Sequence, residues 1–362
     1  MSASCRSGLG YVFVVGVVVT LTGRAITQEE IVDPASRGLP NSHPTVVQKW
    51  GPLPDGRVWG STAGIDIGPD GHIWTYDRCG ANGLAGGCDS SSLSPILKFD
   101  RSTGEVLASF GAGMFVLPHG LHVDKAGNVW VTDPVGNKEQ TKGHQVVKFS
   151  PDGEVLMTLG KAGIAGNGPD TLNEPCDVIT APNGDIFVSD GHASLAQREP
   201  SSGRIVKFTK DGVYVKEWGS IGTAPGEFQT PHALEFDSKG RLFVADRGNH
   251  RIQIFDQDGN FLDSFEQFGR VSGLFIEADD TLYAIDSESN PNNHPGWKTG
   301  IRVGNAAEDK VTLFIPPHEI DEGVHGAAGE GVAVDPEGNI YAAEGPNSRP
   351  FAGGGLTKYL KK

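Results

Sequence analysis

The chain has no lysine or arginine cluster, and with 30 basic against 45 acidic residues its formal charge is −15. A surface of that sign repels a phosphate backbone, which excludes nucleic acid as a partner for the surface as a whole. Past the N-terminus there is no apolar run of the roughly 20 residues that a membrane-spanning helix requires. Nor is there a Gly-X-Y period, so the 51 glycines mark tight turns between short strands and not a collagen. No helical apolar stripe is present, which argues against a bundle. Aromatic residues make up only 8% of the chain and cysteines number 4, and nothing points to an electron-transfer cofactor. At 37% hydrophobic, the sequence is still too apolar to be disordered.

What is there begins with an export signal. Residues 1–25 hold one early positive charge at Arg6, the 13-residue run Leu9 to Leu21, and then Thr-Gly-Arg-Ala. This pattern predicts a secretory signal cut after Ala25, with an uncleaved N-terminal anchor as the alternative. Cys5 lies before the apolar run and is out of place for lipoprotein acylation. The expected product is secreted or periplasmic, with a linker over 26–44 and one folded domain over 45–362. Export permits a disulfide, and Cys79 and Cys88, in one glycine-rich loop, are the expected pair; Cys176 is then free.

One phrase recurs six times: a short alternating strand, a turn rich in Asp and Gly, and a second strand ending in an acid. The first copies run Gly64 to Asp77 and Gly120 to Asp133, and the others end at Asp190, Asp246, Asp286 and Glu344. Third strands follow, such as Gln145 to Phe149, Arg204 to Phe208 and Arg251 to Phe255, and three of them turn into a fourth. Four antiparallel strands per unit and six units predict an all-β, six-bladed β-propeller. The last blade lacks a fourth strand of its own. Thr45-Val-Val-Gln-Lys-Trp50-Gly51 matches Val213-Tyr-Val-Lys-Glu-Trp218-Gly219, so the N-terminal strand is expected to close the ring and cover an open edge. The six terminal acids are read as acceptors for turn N–H groups. In the most regular blade, Asp246-Arg-Gly-Asn249-His250-Arg251 is similar to the NHL-repeat consensus, where Asn and Arg are structural and His250 is a turn residue.

The residue just before each innermost strand should ring one mouth of the channel: Ala63, His119, Cys176, His232, Ser272 and Glu330. His119, His232 and Glu330 come from alternate blades, about 120° apart, and are expected to converge. Two imidazoles and a carboxylate form a zinc set with a position left open, and equally the facial triad of non-haem iron. His325 is the alternative third ligand. On the same face, Arg78 after Asp77 is placed to hold a substrate carboxylate. His192, after Asp190-Gly191, is placed to act as a general base.

Leu117-Pro-His119-Gly-Leu, Thr230-Pro-His232-Ala-Leu, Val188-Ser-Asp-Gly-His192 and Trp74-Thr-Tyr-Asp-Arg78 together resemble the peptidyl-α-hydroxyglycine α-amidating lyases and their bacterial NHL-propeller relatives, over residues 45 to 361. The resemblance implies a six-bladed propeller with zinc on three histidines from alternate blades, an Arg in the first blade and a Tyr in the third. His119 and His232 match two ligands and Arg78 the catalytic Arg. The third ligand position holds Glu330, and the Tyr position holds His192. The family's structural calcium would use the Ile65 and Leu121 carbonyls, but its Asp position is Gly331.

The expected activity is a zinc- or iron-dependent lyase that cleaves an N-acyl-α-hydroxyglycine or similar α-hydroxyamide to amide and glyoxylate. Its partner is then a small molecule or peptide with a terminal carboxylate, and the chain acts as a monomer with no membrane partner beyond export. Other carbon–heteroatom lyases of the streptogramin type would use similar chemistry, whereas a calcium lactonase wants more carboxylates at the mouth. The reading from a different class is a non-catalytic NHL propeller that binds protein or polysaccharide.

Overall fold

The computed structural model describes residues 33, 35–80, 87–192, 202–321, 324–325, 329–345 and 355–362. The expected signal, 1–25, lies outside the described residues. Strands dominate, in six four-stranded antiparallel sheets. Blade 1 comprises Ile65–Ile67, Ile73–Tyr76, Ile96–Phe99 and Val106–Phe110; blade 2 comprises Leu121–Val123, Val129–Asp133, Gln145–Phe149 and Val155–Leu159. Blade 3 comprises Pro175–Thr180, Ile186–Asp190, Arg204–Phe208 and Tyr214–Trp218; blade 4 comprises Pro231–Phe236, Leu242–Asp246, Arg251–Phe255 and Phe261–Phe265. Blade 5 comprises Val271–Ile276, Thr281–Asp286, Gly300–Asn305 and Glu308–Ile315. Blade 6 comprises Gly331–Val334, Ile340–Glu344 and Gly355–Leu360, and its outer strand is Thr45–Trp50. Thr45 pairs with Leu360 and Trp50 with Leu356, as the sequence match predicts.

Each apolar cluster spans two consecutive blades. Trp74 and Ile96 meet Val129 and Phe149 between blades 1 and 2. Ile65, Phe99 and Leu97 meet Tyr341, Ala343 and Leu356 between blades 1 and 6, so ring closure has a core of its own. Along the axis the blades approach backbone to backbone. A Cβ on Gly120 would lie 2.5 Å from the Cys176 carbonyl oxygen, and one on Gly331 would lie 2.3 Å from that of Ala63.

Part of the expected linker is fastened to the propeller. Asp33 pairs with Arg302, both buried. His43 Nε2 lies 2.8 Å from the Gly338 carbonyl oxygen, and the Lys362 N–H donates to Ser42 O at 3.0 Å. A disulfide joins Cys79 and Cys88, and Cys176 is free and buried.

The five terminal aspartates accept hydrogen bonds from the loop that precedes their own blade, whereas Glu344 accepts from Thr357 of its own third strand. Asp133 accepts from Val116 and Leu117 at 2.8 Å, and Asp246 from Gln229 at 2.8 Å. In three blades a guanidinium at the start of the third strand, or just beside it, completes the set: Arg204 on Asp190, Arg251 on Asp246 and Arg302 on Asp286. In the regular blade Asn249 donates to Asp246 Oδ2 at 2.7 Å, and His250 takes a left-handed turn conformation at φ 57°.

Candidate active site

The six mouth positions, Ala63, His119, Cys176, His232, Ser272 and Glu330, all line one central cavity. At about 60 Å³ it has room for an ion and a few waters but not for a larger organic molecule. His119 and His232 enter from blades 2 and 4, with ring centroids 4.8 Å apart. His192 lies 4.6 Å from His119 and 5.1 Å from His232 by the same measure. One nitrogen of each can be chosen so that all three lie within 4.8 Å of one another.

Backbone carbonyls set the two outer imidazoles. His119 Nδ1 lies 2.9 Å from Cys176 O and His232 Nδ1 lies 2.6 Å from Ser272 O. A carbonyl only accepts, so Nδ1 carries the proton in both rings and Nε2 is left with its lone pair. Those Nε2 atoms, and Nδ1 of His192, are buried with no hydrogen-bond partner. Burial holds all three imidazoles well below the usual histidine range. Arg247 pushes the same way on each ring, Arg78 does so on His119 and His192, and the His119 ring adds to the effect on His192 and His232. Three neutral, convergent, unpartnered ring nitrogens are costly in a protein interior unless they meet a cation.

Two guanidiniums flank the imidazoles. Arg78 is 1% exposed; its Nε donates to Pro118 O at 3.1 Å and its Nη1 reaches Ser61 Oγ at 3.5 Å. Arg247 is 5% exposed, its Nη1 lies 3.5 Å from Glu288, and its Nε has no partner.

An NHL-repeat family profile matches residues 228–255. Peptidyl-glycine alpha-amidating monooxygenase B of Xenopus laevis is 31% identical over 289 residues, which is 75% of this chain and 30% of that protein. A probable peptidyl-alpha-hydroxyglycine alpha-amidating lyase of Caenorhabditis elegans is 31% identical over 214 residues, 54% of this chain and 55% of the relative. Peptidyl-alpha-hydroxyglycine alpha-amidating lyase 1 of Drosophila melanogaster is 36% identical over 181 residues, covering 46% and 30%. The chain is an NHL-repeat propeller of the amidating-lyase-like family. It spans 30% of the length of the Xenopus relative. In fold alone, the amidating-lyase-like propeller is similar to a gluconolactonase from Xanthomonas campestris, with TM-score 0.56 and 14% identity over 88% of this chain and 89% of the other. A virginiamycin B lyase from Staphylococcus aureus gives TM-score 0.52 and 14% identity over 83% and 82%.

Among the described residues, the propeller assembles its triad differently from the expected set. His192, expected as a base, stands with His119 and His232, while Glu330, expected as third ligand, lies outside that group though on the same cavity. The reason is local. Cys176, the blade 3 mouth residue, meets His119 through its carbonyl and not through its side chain. Gly191, at φ 132°, then folds the chain inward, and the N–H groups of Gly191 and His192 both donate to Glu174 O, at 3.0 and 3.1 Å. The His325 side chain lies outside the described residues. Ile65 and Leu121 do line the cavity, but position 331 cannot supply the carboxylate of a calcium shell, because any side chain there meets Ala63. The channel acids are engaged elsewhere: Asp66 accepts from Val123, and Asp177 from Leu234 and Val178. A calcium set is thus incomplete, and no step is derived through one.

Sequence reasoning missed Arg247. The signal was available, since Arg247 follows Asp246 in the register that singled out Arg78 after Asp77. In the segment from Asn290 to Pro295, His294 stacks on His250 at 4.0 Å and on Trp297 at 4.6 Å between ring centroids.

Proposed function

We propose that this propeller is an exported, metal-dependent lyase that cleaves an N-acyl-α-hydroxyglycine or a related α-hydroxyamide to an amide and glyoxylate. The observation that carries the reading is the trio of buried, unpartnered imidazole nitrogens of His119, His192 and His232 beside Arg78 and Arg247. The relatives named amidating lyase support the reaction class. The three imidazoles would hold zinc or ferrous iron, and either ion, when bound, supplies Lewis acidity that lowers the pKa of a substrate hydroxyl.

The protein's own groups do the rest. Arg78 and Arg247 receive the terminal carboxylate; a guanidinium fork fits it at two points and fixes which way the α-carbon faces. The narrow cavity keeps the acyl chain outside, so the scissile Cα–N bond stands over the triad. Burial of the site limits water and strengthens each charge interaction there.

The test is glyoxylate release from α-hydroxyhippurate by the purified mature domain, with and without a chelator, beside His232→Ala. Release that the chelator stops and the variant lacks supports the lyase. A folded, zinc-loaded sample that releases nothing sinks this substrate class. A folded sample with neither metal nor release hands the case to a binding scaffold.

A further inference from the structure

With His192 among the imidazoles, the proposed reaction has no assigned base. Glu330 stands immediately before the innermost strand of blade 6, Gly331–Val334, and shares the channel mouth with His119 and His232. It is 4% exposed and lines the same cavity as those histidines. Its N–H donates to Ala343 O at 2.8 Å, which anchors the backbone. Its carboxylate, by contrast, accepts no hydrogen bond from any described residue. The carboxylate is thus held at the cavity wall by its backbone alone and left open to whatever occupies the cavity, which points to a function. The backbone is adapted to it: a Cβ on Gly345 would lie 2.6 Å from Glu330 Cγ, so glycine is what leaves the side chain room.

We propose that Glu330 is the proton-transfer residue of the site and not a metal ligand, an assignment that rests on the lyase reading above. Glu330 takes the proton of the substrate α-hydroxyl. The O–H electron pair becomes the second bond of the new aldehyde carbonyl, the Cα–N bond breaks, and its pair leaves on nitrogen. The Glu330 carboxylic acid then returns the proton to that nitrogen, so one amide and one glyoxylate form with no net proton and no redox partner. Burial raises the Glu330 carboxyl pKa, opposed by Arg78 and Arg247 and reinforced by Glu288, which suits a group that must accept and then give up a proton. The two assignments are consistent: His192 of blade 3 completes the imidazole group, and Glu330 of blade 6 is left free for proton transfer.

Glu330→Gln keeps the shape and removes a buried charge, so it should fold. The measurements are zinc content, zinc affinity by chelator competition, and steady-state glyoxylate release from α-hydroxyhippurate. The expected result is unchanged zinc affinity with kcat lower by about 100-fold or more and KM within about threefold, the range for a lost acid–base group. Glu330→Ala should lose activity equally and regain part of it in added formate, which a merely structural role would not produce. Zinc affinity reduced about tenfold or more in Glu330→Gln would make Glu330 a ligand and overturn the proposal. So would a Glu330→Gln enzyme of full activity. A zinc-loaded wild type that releases no glyoxylate overturns the lyase reading itself, and this assignment with it, whereas a variant failure beside an active wild type touches Glu330 alone.

Discussion

His119 Nδ1 donates to the carbonyl oxygen of Cys176 across the boundary between blades 2 and 3, at 2.9 Å. One residue thus fixes the tautomer of the other, and a blade without a histidine at its mouth position still orients the imidazole next to it. The same relation joins His232 to Ser272 in the next pair. Blades 2 and 4 supply these two rings; blades 3 and 5 aim them.

If the three imidazoles hold the ion, zinc should stabilise the fold by mass action. Chelation of the wild type is expected to lower the melting temperature, and His192→Ala should melt at the chelated value with or without added zinc. Differential scanning calorimetry of both forms decides this. A full zinc response in His192→Ala would return the third place to another residue.

Arg78 carries the geometric part of carboxylate recognition. Arg78→Lys retains the charge and loses the fork, so kcat/KM for α-hydroxyhippurate should drop by about 10- to 100-fold, or about 1.4–2.7 kcal/mol. The methyl ester of the same substrate should show little difference between the two enzymes, since it offers no carboxylate. An equal loss on both substrates would contradict this role.

Asp33 and Arg302 are both essentially inaccessible, and Arg302 also lies 3.4 Å from Asp286. Removing one member of a buried pair leaves the other uncompensated. Asp33→Ala should therefore destabilise the propeller by about 3 kcal/mol in urea unfolding. A change below about 1 kcal/mol would show that Asp286 suffices for Arg302 and that the segment before Thr45 is dispensable.

Asp133 has no guanidinium partner because blade 2 begins its third strand with Gln145. Burial, which outweighs its two backbone hydrogen bonds, pushes its pKa up from 3.8 to about 7. The folded state therefore binds a proton that the unfolded chain has released. This contribution to stability is full below about pH 4 and is lost as pH rises through about 7. Asp190, at about 6 despite Arg204, adds in the same direction. The buried imidazoles act in the opposite sense over the same range, so the test is a difference: between pH 5 and 8, Asp133→Asn should hold its melting temperature better at high pH relative to low pH than the wild type does, while losing one of two N–H acceptors. An unchanged slope in the variant would remove Asp133 from the account.

The number of blades was readable because each blade is a local unit: alternation along Val129 to Asp133, a tight turn, and an acid that caps its own loop all act within some twenty residues of chain. Closure by Thr45 to Trp50 was readable as well, since a strand that replaces a missing fourth strand must resemble the fourth strands elsewhere. The mouth positions, His119 and His232 among them, followed from the same register. The third imidazole did not. Which of His192 and Glu330 reaches the other two depends on the turn at Gly191 and the room beside Gly345, and on how blades 3 and 6 then meet His119 and His232 of blades 2 and 4, which alternation along one strand does not record. Periodicity by itself determined the ring and which residues face its axis. The tertiary structure alone decided how far each side chain reaches toward that axis, because reach depends on what the neighbouring blade leaves unfilled.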